Sequence, residues 1–414
     1  MKIFWVVNVL FPYPSKQIGE LNNPFGGWLM GLFNEIRNIK SIDLCIASVY
    51  NGKELKKYCD SNITYYLIPK IKQKDSWFKA INEFNPDLIH LHGTEFEYGS
   101  IFQKLFPNVK IVTSIQGLVG LISNYYIANI KHSDILKNIT FRDLVRGNIY
   151  KEQKKFKNRG KIEKEILKKS TAIIGRTNWD YACSYGIVGE DRYFKCNESL
   201  RDSFYNENWD INSIEKYSIF ISQAGYPIKG FHIMIEAANI LKYKYNYSNL
   251  KIYVAGNNII DTSSFSNKLR LSGYGKYLIS LIKKYKLEDN IIFTGLLNEK
   301  QMVEKLKKSN VFVQASSIEN SPNSLGEAML IGMPCVASNV GGTSDMLKDK
   351  EEGYLYPFGD YSLLAYYISK IFENPIDAIK IGINARKHAL ITHDRKKNAN
   401  TMIEIYKKVI NSEK

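Results

Sequence analysis

The most regular feature of the chain is a series of short apolar runs, separated by stretches in which apolar residues recur at helical spacing. An apolar run without polar alternation is typical of a strand that is buried on both faces of a parallel sheet. In the first half, seven strands are predicted at 3–9, 43–49, 64–68, 87–92, 110–115, 171–176 and 192–196. Helical segments are predicted between them at about 76–84 and 96–105. This alternation indicates a doubly wound α/β sheet.

The second half repeats the architecture. Strand-like runs (SIFISQA, KIYVAG, IIFTG) alternate with helices that begin near Phe231, Tyr277 and Lys300. A polar, aperiodic stretch at 197–217 is interpreted as a hinge. The sequence therefore predicts an α/β protein with two Rossmann-like domains, a first at 1–200 and a second at 201–395, followed by a terminal helical segment at 396–414.

The stretch QASSIENSPNSLGEAMLIGMPCVASNVGG, residues 314–342, carries the densest candidate chemistry. Glu319 and Glu327 have seven residues between them, across a Pro/Asn/Ser turn that precedes a short apolar helix. A loop between a strand and a helix lies at the carboxyl edge of a parallel sheet, where ligands bind. A structural interpretation stays open, because Ser324 and Glu327 match a capping box and Glu319 alone is compatible with a solvated loop acid.

The ordered pattern Glu, seven residues, Glu-Ala-Met, then Gly-x-Pro-x-Val-Ala-Ser and Gly-Gly resembles the donor-site signature of retaining glycosyltransferases with the GT-B fold, glycosyltransferase family 4. The resemblance implies two Rossmann-like doubly wound domains facing a cleft, with the terminal helix crossing back to the first domain. It places Glu319 beside the donor sugar ring, and Glu327 against the ribose hydroxyls of the nucleotide.

Two further segments resemble the family only in part. In GYPIKG, Lys229 matches one of two cations that clamp the donor diphosphate, but Ala224 stands where the family has arginine. Arg176 is a candidate substitute. In VTSIQG, Gln116 replaces the usual histidine, so it can position the donor sugar through hydrogen bonds but cannot titrate near neutrality.

The resemblance thus implies a complete set of site residues. The catalytic candidates are Glu319, Lys229 and Gln116. Glycines after the first strand and at the end of IIFTG are expected to contact the diphosphate and the nucleotide base, and amides at a helix start to contact the leaving group. The donor-binding candidates are Gly26, Gly27, Glu327, Pro322, Asn323, Ser324, Leu325, Gly295 and Arg176.

The predicted activity is retaining hexosyl transfer from a nucleoside-diphosphate sugar, UDP in preference to GDP, to a glycan or lipid-linked glycan in bacterial surface polysaccharide synthesis. No Asp-x-Asp occurs, so no metal or other cofactor is expected. Two alternatives stay open: a nucleotide-sugar epimerase of the same fold, which would convert donor without acceptor, and a non-catalytic nucleotide-sugar-binding subunit. The non-catalytic alternative stays open because Gln116 and Ala224 stand where the family usually has histidine and arginine.

The distribution of charge along the chain suggests a further binding partner. The formal net charge is +16, and residues 131–169 hold 13 Lys/Arg against 5 Asp/Glu. Apolar residues interleave there at helical spacing, which favours an amphipathic surface helix on an anionic membrane as much as a solvated face. They are Ile135, Leu136, Ile139, Leu144, Val145 and Ile149. Nucleic acid is not expected as a partner, because no recognition motif accompanies the charge.

The location is predicted from cysteine usage and from hydropathy. Five cysteines without a CxxC pair suit a reducing cytoplasm. No apolar run reaches the roughly 18 to 20 residues of a membrane span. The apolar start of the chain is interpreted as a first strand because it has no small-residue cleavage site. A cytoplasmic protein is expected, peripheral on the inner face of the plasma membrane if the basic segment binds lipid.

Overall fold

The structure is a computed structural model that describes residues 1–20 and 26–412. It divides into two compact units. The first unit comprises Met1–Gly120, Asn158–Arg201 and His393–Lys414, and the second comprises Leu121–Lys157 and Asp202–Thr392. Each unit has its own sheet and its own apolar core.

With one exception at the edge of the first sheet, Lys56–Asp60, the strands follow the predicted apolar runs closely. The first sheet contains β1 (Lys2–Val7), β2 (Asp43–Tyr50), β3 (Lys56–Asp60), β4 (Ile63–Pro69), β5 (Leu88–His92), β6 (Lys110–Ser114), β7 (Ala172–Gly175) and β8 (Tyr193–Lys195). The second sheet contains β9 (Ser218–Ile221), β10 (Lys251–Ala255), β11 (Ile291–Gly295), β12 (Val311–Gln314), β13 (Cys335–Ser338) and β14 (Tyr354–Tyr356).

Helices separate most of the strands. In chain order the helices are α1 (Pro12–Gln17), α2 (Gly27–Ile36), α3 (Gln73–Phe84), α4 (Tyr98–Leu105), α5 (Val119–Ile122), α6 (His132–Lys137), α7 (Phe141–Arg146), α8 (Ile149–Lys169), α9 (Asn178–Val188), α10 (Ser203–Asn206), α11 (Phe231–Tyr243), α12 (Phe265–Arg270), α13 (Gly273–Lys284), α14 (Glu299–Lys308), α15 (Asn323–Leu330), α16 (Thr343–Met346), α17 (Tyr361–Glu373), α18 (Pro375–Thr392) and α19 (Arg395–Asn411).

Both sheets have a doubly wound strand order. The second runs β11-β10-β9-β12-β13-β14, wholly parallel, which is the usual Rossmann order 3-2-1-4-5-6. The first runs β3-β4-β2-β1-β5-β6-β7-β8, and it is parallel except at the β3–β4 pair. The order reverses between β1 and β5 in one sheet and between β9 and β12 in the other, and ligands bind outside the carboxyl ends of strands at such switch points.

The basic stretch of the sequence differs from the single amphipathic helix that its spacing suggests. It forms α6, α7 and α8, and its first part, up to Lys157, belongs to the second unit rather than to the first. The physical reason is burial: Ile130 and Ile135 lie in the apolar core of the second unit. The Ala128 carbonyl also accepts a hydrogen bond from His232 on α11, at 2.8 Å.

The last helix, α19, belongs to the first unit and packs against α2. Its Tyr406 is fully buried, where its hydroxyl accepts a hydrogen bond from Trp5 Nε1 at 2.9 Å and lies 2.6 Å from His90 Nδ1. Burial lowers the pKa of His90 to about 3. The chain therefore returns to the first unit after completing the second.

Candidate active site

The candidate site of the second unit lies at the carboxyl ends of β9 and β12, the switch point of that sheet. The loop after β9 comes against the loop after β12, and Ser317 N donates a hydrogen bond to Ile228 O at 2.7 Å. Gly230 permits this approach. Its φ is +65°, and a Cβ there would lie 1.7 Å from the Ala315 carbonyl oxygen. Only glycine fits both requirements.

This contact brings together the two residues that the sequence singled out as catalytic in the second domain. Lys229 Nζ donates to Glu319 Oε1 at 2.6 Å, and Ser316 Oγ donates to the same oxygen at 2.6 Å. The lysine side chain is 27% exposed and the glutamate side chain 14% exposed. The pair is therefore partly buried but still accessible to solvent.

A third loop, after β13, fixes the backbone of Glu319. Gly342 N donates to Glu319 O at 3.1 Å. Gly341 has a φ of +53°, and a Cβ on it would lie 1.9 Å from the same carbonyl oxygen. The Gly-Gly turn of the signature is thus explained by its close approach to the catalytic candidate.

The helix that follows, α15, does not use the capping box that its sequence suggested. Its N-cap is Pro322, which makes no side-chain capping bond, so the capping interpretation of Ser324 and Glu327 is wrong. The Ser324 hydroxyl instead accepts a hydrogen bond from Ser222 Oγ at 3.1 Å. Glu327 is buried inside the helix. Its ribose-binding role stays a prediction, as do the donor contacts of Pro322, Asn323, Ser324 and Leu325.

Gly295 and Ala224 are two further positions of the second unit that the sequence analysis connected with donor binding. Gly295 ends β11 with a φ of +77°, and a Cβ there would meet open space. This leaves room for the predicted base contact. Ala224 is buried in the core of the unit, and its methyl side chain carries no charge that could contact the diphosphate.

In the first unit, the glycine pair opens α2. Gly26 is the N-cap of that helix and has a φ of +89°. A Cβ on Gly27 would lie 2.4 Å from Arg201 Cγ, so the arginine stem packs directly on the turn. Sequence reasoning missed Arg201, because no motif surrounds it. The diphosphate contacts of Gly26 and Gly27 stay predictions.

Arg176 and Gln116 also lie in the first unit, at the carboxyl edge of its sheet, and both contact Glu198. Arg176 Nη1 donates to Glu198 Oε2 at 2.5 Å, and Gln116 Nε2 donates to Glu198 Oε1 at 2.7 Å. Arg176 Nη2 donates to Ile115 O at 3.2 Å. The side chains of Arg176 and Glu198 are only 6% and 13% exposed. Arg176 is thus already neutralised by a carboxylate that sequence reasoning did not single out.

His92 completes this edge, at the end of β5. It is buried beside Trp5 and Trp28, whose ring centroids lie 4.8 Å and 5.7 Å from its own. Burial, and secondarily His90, holds the pKa of His92 well below its usual range, so the ring is neutral at physiological pH. It lines a small cavity together with Trp28, Arg176 and Glu198.

Comparison with known proteins places much of the second unit in a described family. The family model described as "Glycosyl transferases group 1" matches residues 203–388, which include the whole candidate site of the second unit. This stretch is a glycosyltransferase group 1 domain. Two α/β units with parallel Rossmann-like sheets, one of them carrying this domain, define the GT-B class of fold.

Relatives and solved structures extend the likeness beyond that domain. YtcC of Bacillus subtilis strain 168, whose own assignment as a glycosyltransferase is a proposal, is 22% identical over 391 residues, covering 94% of this chain and 87% of that protein. An Escherichia coli UDP-Gal:alpha-D-GlcNAc-diphosphoundecaprenol alpha-1,3-galactosyltransferase is 30% identical over 128 residues, 30% of this chain and 32% of that one. The Anabaena HepE protein in complex with UDP and glucose has a TM-score of 0.70 at 14% identity, covering 99% of this chain and 100% of that one.

Proposed function

We propose that the protein is a retaining hexosyltransferase that takes its sugar from a UDP-linked donor and passes it to a glycan or lipid-linked glycan in bacterial surface polysaccharide synthesis. The Lys229–Glu319 pair at the switch point of the second sheet carries this proposal. The names of the E. coli galactosyltransferase and of the UDP complex of HepE support the choice of nucleotide and of acceptor class.

The proposed reaction exchanges one bond at the anomeric carbon for another on the same face. The bond from this carbon to the diphosphate oxygen breaks, and the electron pair leaves with the diphosphate. The acceptor oxygen forms the new bond, and its proton passes to an oxygen of the departing phosphate. The protein must therefore stabilise growing negative charge on the diphosphate and positive charge on the sugar ring.

The second unit has groups suited to both tasks. The Lys229 ammonium and the amides at the start of α15 provide fixed positive charge for the diphosphate. The Glu319 carboxylate provides negative charge for the sugar ring. Because the lysine and glutamate charges already touch, at 2.6 Å, each is oriented before a donor arrives. Ser316 and Gly342 restrict Glu319 further.

Thermal shift with UDP, GDP and UDP-sugars is the first test, since a ligand that binds only the folded state raises the melting temperature. We expect UDP to stabilise more than GDP, and a UDP-sugar to be consumed at a rate that rises with added acceptor. Conversion of the donor sugar without acceptor would support an epimerase instead. Binding with no turnover on any acceptor would support a non-catalytic subunit.

An anionic membrane surface is proposed as a partner, on a patch that we call the α7–α12 surface. Phe141, Leu144 and Val145 of α7, and Phe265 and Leu269 of α12, are exposed large apolar residues. The two helices contact each other. Basic residues lie among the apolar ones: Arg142, Arg146, Lys268 and Arg270. Exposed apolar side chains with a basic rim suit the interface of a bilayer that contains anionic lipid. No helix among residues 1–20 and 26–412 is both long and apolar enough to cross a membrane.

Vesicle sedimentation tests this partner. The protein should bind vesicles containing anionic lipid in preference to neutral ones, each cation near the surface contributing about 1 kcal/mol, and salt should weaken binding. Leu144→Ser with Val145→Ser should reduce the bound fraction. Ile376→Ser with Ile383→Ser, which alters two exposed residues of α18, is the matched control. Equal binding to neutral and anionic vesicles at low salt would refute the proposal.

A further inference from the structure

The second unit contains a cavity of about 760 Å³, including its open mouth, that shares Arg142 with the α7–α12 surface and no residue with the Lys229–Glu319 site. It lies between the α7–α8 region and the loop after β9. Aromatic rings form much of its wall, and charged or amide side chains lie among them. The aromatic residues are Tyr126, Phe156, Tyr226 and Tyr274, and the polar ones are Arg142, Asp143, Asn148 and Glu152.

Two connections tie this cavity to the candidate active site. Tyr226 is the N-cap of the short 3₁₀ turn Pro227–Lys229, so it lies one turn before the catalytic lysine. Next to the lining residue Tyr126, the Tyr125 carbonyl accepts a hydrogen bond at 2.9 Å from Ser317 Oγ, two residues before Glu319. Residues of the lining are therefore connected to both loops that hold the Lys229–Glu319 pair.

The aromatic wall offers flat apolar surface. Tyr126 is buried against Phe156, with ring centroids 5.0 Å apart and planes tilted by 56°. Tyr226 is 49% exposed, so part of its ring is free to cover a ligand. Burial first, then the charge of Glu152, raises the pKa of Tyr126 to about 12, so its hydroxyl stays protonated and can donate a hydrogen bond.

The polar groups decide which ligand suits this wall. Asp143 and Glu152 bring two carboxylates and Arg142 one guanidinium, so the lining has no surplus of positive charge. A phosphate or a nucleotide would gain nothing from it. A pyranose has an apolar C–H face for an aromatic ring and a rim of hydroxyls that both donate and accept, which matches a wall of rings with carboxylate, guanidinium and amide groups.

We infer that this cavity binds a pyranose residue of the acceptor, next to the donor site. The inference rests on the proposed function, which it deepens by giving the acceptor a subsite within the second unit. Tyr226 would cover the sugar ring at the mouth, and Glu152 and Arg142 would bind its hydroxyls. All three are binding residues, since within the described part of the chain none of them forms a side-chain hydrogen bond or ion pair with Lys229 or Glu319.

Saturation-transfer NMR tests the inference with three probes at millimolar concentration: methyl α-D-glucopyranoside, methyl α-D-galactopyranoside and N-acetylglucosamine. At least one probe should show transfer to its ring protons, and saturating UDP should not displace it. Tyr226→Ala should weaken binding about fivefold to tenfold, the size of one aromatic contact. Tyr226→Phe, which keeps the ring, should bind like the wild type. Tyr361→Ala removes a tyrosine ring of similar exposure, 41% against 49%, elsewhere in the unit and is the control.

Three results would overturn the inference: no transfer to any probe, unchanged binding in Tyr226→Ala, or displacement by UDP, which would place the sugar in the donor site. The proposed function fails separately, if UDP does not stabilise the wild-type protein. The melting temperature measured without ligand shows whether each variant is folded. Because Tyr226 is about half exposed, we expect its variants to fold.

Discussion

The carboxyl edges of the two sheets both carry a cation paired with a glutamate, and the two pairs differ in what surrounds them. Arg176 and Glu198 in the first unit are almost fully buried, and Gln116 and the Ile115 carbonyl complete their hydrogen bonds. Lys229 and Glu319 in the second unit are partly exposed. The charges of the first pair are enclosed by protein groups, whereas those of the second pair remain partly accessible to solvent.

This difference separates a structural ion pair from a candidate catalytic one. Burying a paired charge rarely adds stability, but removing one partner is costly because the other is left unpaired. A cation so enclosed is poorly placed to exchange its carboxylate for a diphosphate. The comparison therefore favours Lys229 over Arg176 as the cation that contacts the donor.

The largest effect is expected from Glu319→Gln, which keeps the shape of the side chain and removes its charge. We expect nearly all transfer to be lost, because the developing positive charge on the sugar ring loses its counter-charge. The rise in melting temperature that UDP causes should remain. Glu304→Gln, at an exposed position of α14, should be neutral. Wild-type turnover in Glu319→Gln would remove the second pair from catalysis.

Lys229→Ala should reduce the transfer rate by about 10²–10³, the usual effect of losing one preorganised charge at a developing anion. UDP should also bind more weakly. Gln223→Ala, in the same loop, should have a far smaller effect on both. If Lys229→Ala binds UDP and turns over donor like the wild type, the diphosphate lies elsewhere.

Arg176→Met tests the first pair and should act on stability. Leaving Glu198 buried without its partner should lower the free energy of unfolding by about 3–5 kcal/mol in chemical denaturation. The double variant Arg176→Met with Glu198→Met should recover much of this loss, because no charge remains unpaired. Folded Arg176→Met should bind UDP normally. Weaker UDP binding at unchanged stability would instead support the diphosphate role that the sequence suggested.

The smallest effect is expected from metal removal. Since the chain has no Asp-x-Asp and we assign the diphosphate charge to Lys229, activity should survive saturating EDTA. Donor consumption before and after chelation measures this directly. Complete loss that Mg²⁺ or Mn²⁺ restores would show that a metal shares the task of the lysine.

Much of the fold follows from the sequence, because strands buried on both faces leave continuous apolar runs. The strand β3 was not predicted, since its residues, KKYCD, are largely polar and it pairs antiparallel at the sheet edge. The placement of 121–157 was not predictable from chain order either. It depends on which core buries Ile130 and Ile135, and that is a long-range property.

The candidate site was predicted unevenly, for a similar reason. Lys229 and Glu319 stand in ordered motifs, so each was found, although their contact across 90 residues was not. Glu198 stands alone in the sequence and gains its importance only where the ends of β6, β7 and β8 meet. Tyr226 was passed over because an exposed tyrosine in a loop has no distinguishing pattern.

The return of α19 to the first unit has a consequence for synthesis of the protein. Trp5 and Tyr406 are hydrogen-bonded partners 401 residues apart, and α19 supplies part of the core around them. At about 5–20 residues per second, a ribosome needs roughly 20 to 80 seconds to make the second partner after the first. During that interval the sheet that is made first lacks one of its covering helices, while residues 202–392 have already emerged. The domain whose synthesis begins first is thus completed last. We expect a nascent-chain chaperone to bind the apolar surface that α19 has not yet covered.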